Sequence, residues 1–368
     1  MAIKLSIATA VYNLDAPFLR SHIEGIIGQL TDETELLLID DCSTNGSGDI
    51  CREYVGRDCR VRYINMGQNG GLSRVRNRSI DESQGKWLFF ADGDDLLSDN
   101  FIETALRFCD SDDDIIILDR LKFAQEKGEE QPCSITELNE LPSEAGRVLS
   151  ISCLCLDTTM SAQFGLSSRA FYHAAWGALY RRDFLLKNKL RFPDGQKKAQ
   201  DSVFNTEAYF CAEKIAYLPY VMYFYRSNEQ GITRRYSQDL SEVLGSLLGH
   251  LNRQMEQLYP NDKDVEARYK NHRVLSVVMD NMRLNVFHRD NPEPKEKRKQ
   301  AFLQFIQQEP YKSAIDEYNP KSSGRWEWHL PIKLMQKKRF ALLDLFMGKP
   351  KAFQFLCAAD KRIVKLFK

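Results

Sequence analysis

The sequence predicts an α/β fold: a mostly parallel central sheet with helices on both faces, followed by a helical C-terminal domain. Apolar, β-prone runs alternate with segments of helical periodicity over roughly the first 90 residues. This alternation is typical of parallel strands joined by crossover helices. Beyond about residue 239, apolar residues recur at helical spacing, as in 240–251 and 274–286. We therefore expect two domains, residues 1–235 and 236–368.

The elements of the first domain follow one another in a regular order. Short apolar runs predict buried strands at 3–11, 35–39, 61–64, 87–91 and 115–118. Apolar residues on one face predict helices at 16–30, from Ser43 to about Tyr54, and from Leu72 to about Ser83. Because ligands of such sheets bind beyond the carboxyl ends of the strands, we expect the functional site there.

Bulk composition narrows the classes of function. The chain has 51 Lys and Arg residues and 51 Asp and Glu residues, so it lacks the basic surplus of nucleic-acid-binding proteins. Its nine cysteines show no repeated metal-ligand spacing, which predicts free thiols in a reducing compartment. No apolar run is long enough for a signal peptide or a membrane span, and we therefore expect a cytoplasmic protein.

Polar residues follow three of the predicted strands where each strand ends. Tyr12 and Asn13 follow the first strand, Asp40 and Asp41 the second, and the run Asp92–Asp95 the fourth. In a parallel sheet these ends meet at one edge, where carboxylates can hold Mg²⁺ or Mn²⁺ against a diphosphate. An acidic turn that caps the next helix through Asp95 or Ser98 is the alternative interpretation of the acidic run.

Four segments resemble the successive motifs of family 2 inverting glycosyltransferases with the GT-A fold. They are residues 6–13 (Ser-Ile-Ala-Thr-Ala-Val-Tyr-Asn), 38–44 (Leu-Ile-Asp-Asp-Cys-Ser-Thr), 69–77 (Asn-Gly-Gly-Leu-Ser-Arg-Val-Arg-Asn) and 91–95 (Ala-Asp-Gly-Asp-Asp). The resemblance implies transfer of a sugar, with inversion, from a nucleoside diphosphate donor, expected to be a UDP-sugar. The acceptor implied is a hydroxyl of a glycan or lipid-linked glycan, and the product a bacterial surface polysaccharide.

The resemblance assigns the donor-binding residues individually. Ala10 and Tyr12 would line the base pocket, with Asn13 beside them. The family usually has Pro or Thr in place of Ala10, so the contact there would come from the backbone. Asp41 would accept a hydrogen bond from the base, which suits the imide N–H of uracil. Arg76 would lie near the nucleotide; an ion pair on the face of its helix is the alternative.

The acidic run receives separate roles from the same resemblance. Asp92 would approach the ribose and the metal ion, and it belongs to both the donor site and the metal site. Asp94 would be the metal ligand proper, for Mn²⁺ or Mg²⁺. Asp95 is expected to support the turn rather than to ligate the ion.

The catalytic base is expected far downstream. Inversion needs a base on the face of the sugar opposite the leaving diphosphate, and Asp201 is our candidate. Family members usually carry Glu before this Asp, but here it is Gln200; a neutral neighbour keeps the pKa of the base lower. An alternative role for Asp201 is to cap the helix that follows.

Other downstream residues are assigned with the same resemblance. Trp176 is assigned to the nucleotide-sugar site, in a segment (176–182) that resembles the acceptor-side motif. Ala178 stands there where the family often has Lys. Cations for the departing diphosphate would come from Arg226, Arg234 and Arg235.

Two other functions remain open on sequence grounds. An Asp-x-Asp motif after an apolar strand also occurs in haloacid-dehalogenase-like phosphatases, in which the first Asp is the nucleophile. Those enzymes place Thr or Val where this chain has Leu96. The departures at Gln200 and Ala178 are compatible with a non-catalytic module that binds sugar nucleotides.

The end of the chain is basic and amphipathic. Between Lys333 and Lys368, ten Lys and Arg residues are interleaved with apolar residues and only two acids. Helices of this kind lie on anionic membrane surfaces, which predicts peripheral attachment to the inner face of the cell membrane. A helix packed on its own domain with solvated lysines is the alternative.

Overall fold

The computed structural model describes residues 2–123, 133–227, 236–318, 328–339 and 342–343. The chain forms two compact units. The first comprises Met1–Cys153 and Thr158–Asn228, and the second comprises Leu154–Asp157 and Glu229–Lys368. The first unit is α/β and the described part of the second is helical, which confirms the predicted fold class. The predicted domain boundary at residue 235 stays a prediction.

The first unit is built around one sheet. Its strands are β1 (Leu5–Val11), β2 (Thr34–Asp40), β3 (Val61–Asn65), β4 (Trp87–Asp92), β5 (Leu96–Leu97), β6 (Ile115–Phe123), β7 (Asn139–Glu140), β8 (Ala178–Arg181) and β9 (Ile215–Arg226). Its helices are α1 (Ala16–Ile27), α2 (Ser47–Val55), α3 (Leu72–Glu82), α4 (Phe101–Phe108), α5 (Ala145–Cys155), α6 (Arg182–Lys187) and α7 (Gln200–Cys211). The five strands and three helices predicted from local pattern are all present.

The order of strands explains where the site forms. Within the described residues the order is β3-β2-β1-β4-β8-β6-β9-β5, with β7 paired to β9. The first four strands are mutually parallel, and β6 is parallel to β9. Strand β8 is antiparallel to both of its neighbours, and β5 and β7 are antiparallel to β9. Sequence patterning did not predict these three strands, because each has four residues or fewer.

The core lies on both faces of the sheet, because successive side chains of a strand point to opposite sides. On one face, Leu36 and Phe89 pack with apolar residues of α1 and α4, such as Ile23 and Phe101. On the other face, Leu37, Ile39 and Phe90 pack with apolar residues of α3 and α7, such as Val75 and Phe204. Strands β2 and β4 are buried on both faces, and their sequences are therefore nearly continuous apolar runs, which is typical of parallel strands.

In the second unit, the helices are α8 (Leu240–Leu258), α9 (Lys263–Tyr269), α10 (Leu275–Asn281), α11 (Lys295–Phe305), α12 (Tyr311–Asp316) and α13 (His329–Gln336). Two π-helical segments, Lys270–Val274 and Met282–Val286, directly follow α9 and α10. The helical patterns predicted at 240–251 and 274–286 are therefore confirmed. Among the residues described, none of the helices combines the length and apolar character needed to cross a membrane.

The described part of the basic C-terminal segment has two distinct faces. Ile332, Leu334 and Met335 of α13 are buried, whereas Lys333 and the basic residues 337–339 are exposed. Gln336 Nε2 donates to the Ile315 carbonyl at 2.8 Å, which ties α13 to α12 within the second unit. Residues 344–368, and with them most of the predicted membrane-binding segment, lie outside the described part of the chain.

Candidate active site

The carboxyl ends of the parallel strands β1, β2 and β4 lie side by side at one edge of the sheet. Val11 of β1 pairs with Asp40 of β2, and Ala10 of β1 pairs with Asp92 of β4. The strand ends therefore bring Asp41, one residue beyond β2, to the same edge as Asp92. This is the convergence predicted from the connectivity of the strands.

Arg76 joins the two halves of this edge. Its Nη2 donates to Asp92 Oδ1 at 3.0 Å, and its Nη1 donates to Asp201 Oδ1. Only 3% of Arg76 is exposed, and its guanidinium lies 5.4 Å from the ring centroid of Phe192. The ion-pair alternative for Arg76 is therefore correct, and its predicted place near the nucleotide stays a prediction. One buried cation between two carboxylates leaves a net charge of about −1 at this point.

Asp201 lies in the first turn of α7 and faces Arg76. The N–H of Ala175 donates to Asp201 Oδ2 at 3.4 Å. Burial raises the pKa of Asp201 above its usual range, and Arg76 opposes that rise. The N-cap residue of α7 is Ala199, with φ of 56° and no side-chain capping bond. The capping alternative for Asp201 is therefore wrong.

The acidic run contains two partly buried carboxylates, Asp92 and Asp94, and one buried carboxylate, Asp95. Burial, with the charge of Asp92 nearby, raises the pKa of Asp94 to about 6. Asp95 is buried: Tyr223 Oη donates to its Oδ2 at 2.6 Å, and the Arg226 N–H donates to its Oδ1 at 2.6 Å. Asp95 thus supports the turn, as expected. The N-cap of α4 is Asn100, so neither Asp95 nor Ser98 caps this helix.

Asp92 and Asp94 fit a divalent cation that arrives with a phosphate-bearing substrate. The described residues include no group of three His, Cys, Asp or Glu side chains arranged to hold a metal ion. Mg²⁺, however, is commonly held by one or two carboxylates together with water and substrate phosphates. The raised pKa of Asp94 reflects repulsion by Asp92 as well as burial, and a cation would relieve that repulsion.

Asp41 organises the loop before α3. Its two carboxylate oxygens accept from the N–H groups of Gly70, at 2.8 Å, and Gly71, at 2.7 Å. Asn69 Nδ2 also donates to the Asp41 carbonyl at 3.2 Å. Each carboxylate oxygen has a second lone pair, so the predicted bond to a nucleotide base remains chemically available.

The residues after β1 differ in their surroundings. Tyr12 is 50% exposed, as a side chain that covers a ligand would be. Asn13 Oδ1 accepts from the Thr44 N–H at 2.7 Å, which holds the end of β1 against the loop after β2. Asn13, Cys42 and Ala199 all have positive φ without being glycine. Such strained backbone persists where surrounding structure holds it and is common at functional sites.

Trp176 lies in an aromatic stack rather than in open space. Its ring is nearly parallel to those of Phe171, Tyr223 and Tyr225, at centroid distances of 5.3, 4.6 and 5.5 Å. Only 6% of Trp176 is exposed. A ligand could therefore contact little of its surface, and its assignment to the sugar-nucleotide site stays a prediction.

Three residues from distant segments hold the acidic run in place. Besides binding Asp95, Tyr223 Oη accepts from the Asp92 N–H at 3.2 Å. His22 Nδ1 lies 2.8 Å from the Asp95 carbonyl, and burial lowers the pKa of His22 to about 4. Arg226 Nε donates to the Asp94 carbonyl at 2.8 Å. Of these, only Arg226 was predicted, while Arg234 and Arg235 lie outside the described residues. No local pattern marks Tyr223 or His22.

Comparison with known proteins supplies a family and relatives. A family model described as glycosyl transferase family 2 matches residues 6–185. The chain is 28% identical over 241 residues to the putative glycosyltransferase EpsH of Bacillus subtilis (strain 168), covering 65% of each chain. It is 30% identical over 236 residues to the uncharacterized glycosyltransferase YibD of Escherichia coli (strain K12), covering 64% of each chain. The chain thus spans a little under two thirds of the length of these relatives.

A solved structure shares the fold. Residues 1–349 of S. aureus TarS, in complex with UDP-GlcNAc, align with a TM-score of 0.60 over 95% of this chain and 92% of that chain. Sequence identity is 16%, so the likeness bears on the fold alone. Together with the family match, it confirms the predicted GT-A fold.

Proposed function

We propose that the chain, whose residues 6–185 match the model of glycosyl transferase family 2, transfers a sugar from a nucleoside diphosphate donor to a glycan hydroxyl, with inversion. The observation that carries the proposal is the bridge from Asp92 through Arg76 to Asp201. This bridge joins Asp92, at the end of β4, to Asp201, whose carboxylate is suited to act as a base. Sugar transfer needs the groups that bind the donor and the base that deprotonates the acceptor to lie close together.

The donor in our proposal is a UDP-sugar. The structural neighbour TarS is described in complex with UDP-GlcNAc, and similar curated proteins include glycosyltransferases. TarS itself is named a poly(ribitol-phosphate) β-N-acetylglucosaminyltransferase, and it is 26% identical to this chain over 200 residues. These names support a nucleotide-sugar donor and an acceptor in a surface polysaccharide. Ala10, Tyr12, Asn13 and Asp41 would surround the nucleotide.

Asp201 is the base in this proposal. Inversion requires removal of the acceptor proton on the face of the sugar opposite the departing diphosphate. A burial-raised pKa suits a group that must accept a proton near neutral pH. Arg76 would orient the carboxylate through their ion pair and keep it ionised in the resting enzyme.

Asp94 and Asp92 would hold Mn²⁺ or Mg²⁺ with the donor. When bound, the ion supplies positive charge that neutralises the diphosphate as it leaves. Within the chain, Asp95 and Arg226 fix the turn that carries Asp94. Asp94 is therefore the residue whose loss should remove metal dependence with the smallest change in structure.

We predict that Asp94→Asn weakens UDP binding in the presence of Mn²⁺ by about tenfold or more, because a charged ligand to the cation is lost. Thermal-shift and calorimetric titrations with UDP, each with Mn²⁺ or with EDTA, measure this effect. Asp49→Asn, on the exposed surface of α2, is the matched control and should behave as wild type. Equal Mn²⁺-dependent affinity in Asp94→Asn and wild type would contradict the metal assignment.

The activity itself is tested by following UDP release and product stereochemistry. A panel of UDP-sugars is incubated with the full chain, Mn²⁺ and candidate glycan acceptors, and NMR reports the anomeric configuration of the product. Inverted product that Asp201→Asn abolishes would support the proposal over a non-catalytic binding module. A trapped aspartyl-phosphate at Asp92 would instead favour the phosphatase alternative.

We further propose that the protein works at the cytoplasmic face of the membrane, near a lipid-linked acceptor. The exposed basic residues Lys337, Lys338 and Arg339 beside the buried face of α13 support this. We expect the full chain to co-sediment with anionic liposomes at low salt, and replacement of these three residues by Gln to weaken binding, because each contributes about 1 kcal/mol near such a surface. Neutral liposomes are the control. No co-sedimentation at low salt would refute the proposal.

A further inference from the structure

Arg120 of β6 lies against the aromatic stack that contains Trp176. Its guanidinium carbon is 4.3 Å from the ring centroid of Phe171 and 6.0 Å from that of Trp176. The strand register places Arg120 beside Tyr223, another member of the stack. We call Arg120, Phe171, Trp176 and Tyr225 the cationic shelf. The flat rings on one side restrict the guanidinium to a fixed plane.

Among the residues that the structure describes, no carboxylate forms an ion pair with Arg120, and its Nε is buried without a hydrogen-bond partner. Two other arginines of the same unit are paired: Arg169 with Asp119, and Arg181 with Asp114. Burial lowers the pKa of Arg120 below its usual range. A partly buried cation that no described carboxylate offsets costs free energy, and this points to a ligand of opposite charge.

The cationic shelf lies on the side of the site away from the proposed donor pocket. In the sheet order, β6 is two strands from β4, whereas β1 and β2 lie on the other side of β4. Two strand spacings separate β6 and β4 by about 10 Å. The shelf is also linked to the proposed base, because Ala175, which precedes Trp176, donates its N–H to Asp201. The shelf and Asp201 are therefore joined through the consecutive residues Ala175 and Trp176.

We infer that the cationic shelf binds a phosphate group carried by the acceptor. This inference rests on the proposed transfer function and names the class of its acceptor: a glycan or polyol bearing a phosphate ester, or a lipid-linked glycan bearing a phosphate. A guanidinium presents paired N–H donors that match phosphate oxygens, and bonds to charged groups are the stronger ones. The partly exposed rings of Phe171 and Tyr225 would contact the uncharged part of the acceptor next to the phosphate.

The test uses the full chain saturated with UDP and Mn²⁺, so that the donor pocket is filled. Isothermal titration with sn-glycerol 3-phosphate and with geranyl phosphate probes the two sources of the phosphate, and glycerol is the neutral control. We expect at least one phosphate to bind and glycerol not to bind. Arg120→Met should weaken that binding by about tenfold or more, and Arg120→Lys by less. Arg57→Met, on an exposed surface, is the matched control for loss of one positive charge.

Three results would overturn the inference. The first is that neither phosphate binds to wild type. The second is that Arg120→Met weakens UDP binding as strongly as phosphate binding, which would assign the cation to the donor. The third is that Arg120→Met lowers the unliganded Tm sharply, since removal of a cation that no described carboxylate offsets should leave it unchanged or raise it. A failure of UDP itself to bind would count against the proposed function, and the phosphate titrations without UDP would still test the shelf.

Discussion

Replacement of Asp201 by Asn is expected to lower the rate of sugar transfer by a factor of about 10² to 10⁴, because general base catalysis contributes about that much. Donor binding should change little, since our proposal assigns Asp201 to the acceptor and Asn preserves the shape of its side chain. The ion pair between Arg76 and Asp92 remains in the variant. Initial rates with a UDP-sugar and an active acceptor, together with calorimetric UDP affinity, separate the two effects.

The pH dependence of wild-type transfer provides a second readout of the same residue. A base acts when deprotonated, so the rate rises with pH through its pKa. Burial raises the pKa of Asp201, and the acidic limb of kcat/KM should therefore lie above the usual range for Asp. Gln200→Glu adds a negative charge next to Asp201 and should move this limb to still higher pH. An acidic limb that stays unchanged in Asp201→Asn would exclude Asp201 as the base.

Replacement of Arg76 by Met is expected to lower the free energy of unfolding by about 3–5 kcal/mol, because it leaves two partly buried carboxylates without their cation. Asp92 and Asp201 then repel each other and have no counterion to offset their desolvation. Urea unfolding followed by circular dichroism measures the loss. Arg78→Met, on the same helix but 48% exposed and paired within one turn, should cost less than about 1 kcal/mol.

The loss in Arg76→Met should also depend on pH in a defined direction. Without the cation, the pKa of Asp201 in the folded state rises further above its value in the unfolded chain, because Arg76 no longer opposes the effect of burial. The folded state then binds more protons than the unfolded state, so stability falls as pH rises from about 4 through the raised pKa of Asp201. The destabilisation relative to wild type should therefore be larger at pH 8 than at pH 5. Adding Asp92→Asn should recover part of the loss; equal costs for Arg76→Met and Arg78→Met would refute the bridge.

The predictions for Asp201→Asn and Arg76→Met distinguish a loss of catalysis from a loss of stability at neighbouring residues. Asp201→Asn removes a reacting group but keeps its volume, and Arg76→Met keeps the reacting group but removes its counterion. Transfer should fall in both variants, whereas stability should fall sharply only in the second. The comparison identifies Asp201 as the catalytic residue and Arg76 as a positioning residue if both outcomes are observed.

Much of the fold and part of the site follow from local sequence. Strands β1 to β4 and strand β6 are apolar runs in the sequence because their residues are buried. These five strands appear where predicted. Parallel connectivity forces the carboxyl ends of β1, β2 and β4 to one edge, which is why Asp41 and Asp92 could be expected together. The resemblance to family 2 glycosyltransferases added individual roles, which patterning could not supply.

Other features depend on contacts between residues far apart in the chain. Arg76 and Asp201 are 125 residues apart, and whether that arginine reached a nucleotide or a carboxylate could not be read from the periodicity of its helix. Tyr223, near the end of β9, reaches Asp95 over 128 residues. The antiparallel strand β8 is too short to carry a pattern, yet it separates β4 from β6 and so sets where Arg120 lies.

The sequence by itself determined the alternating α/β order, the alignment of the carboxyl ends of the parallel strands, and which acidic residues lie there. These features depend on burial and chain connectivity, which act over short distances along the chain. Only the tertiary structure decided how the charges are paired. It joined Arg76 to Asp92 and Asp201, enclosed Asp95 with Tyr223, and left Arg120 without a carboxylate among the described residues. The reason is physical: the energy of a charge depends on its distance to other charges and to water, which only the folded chain defines.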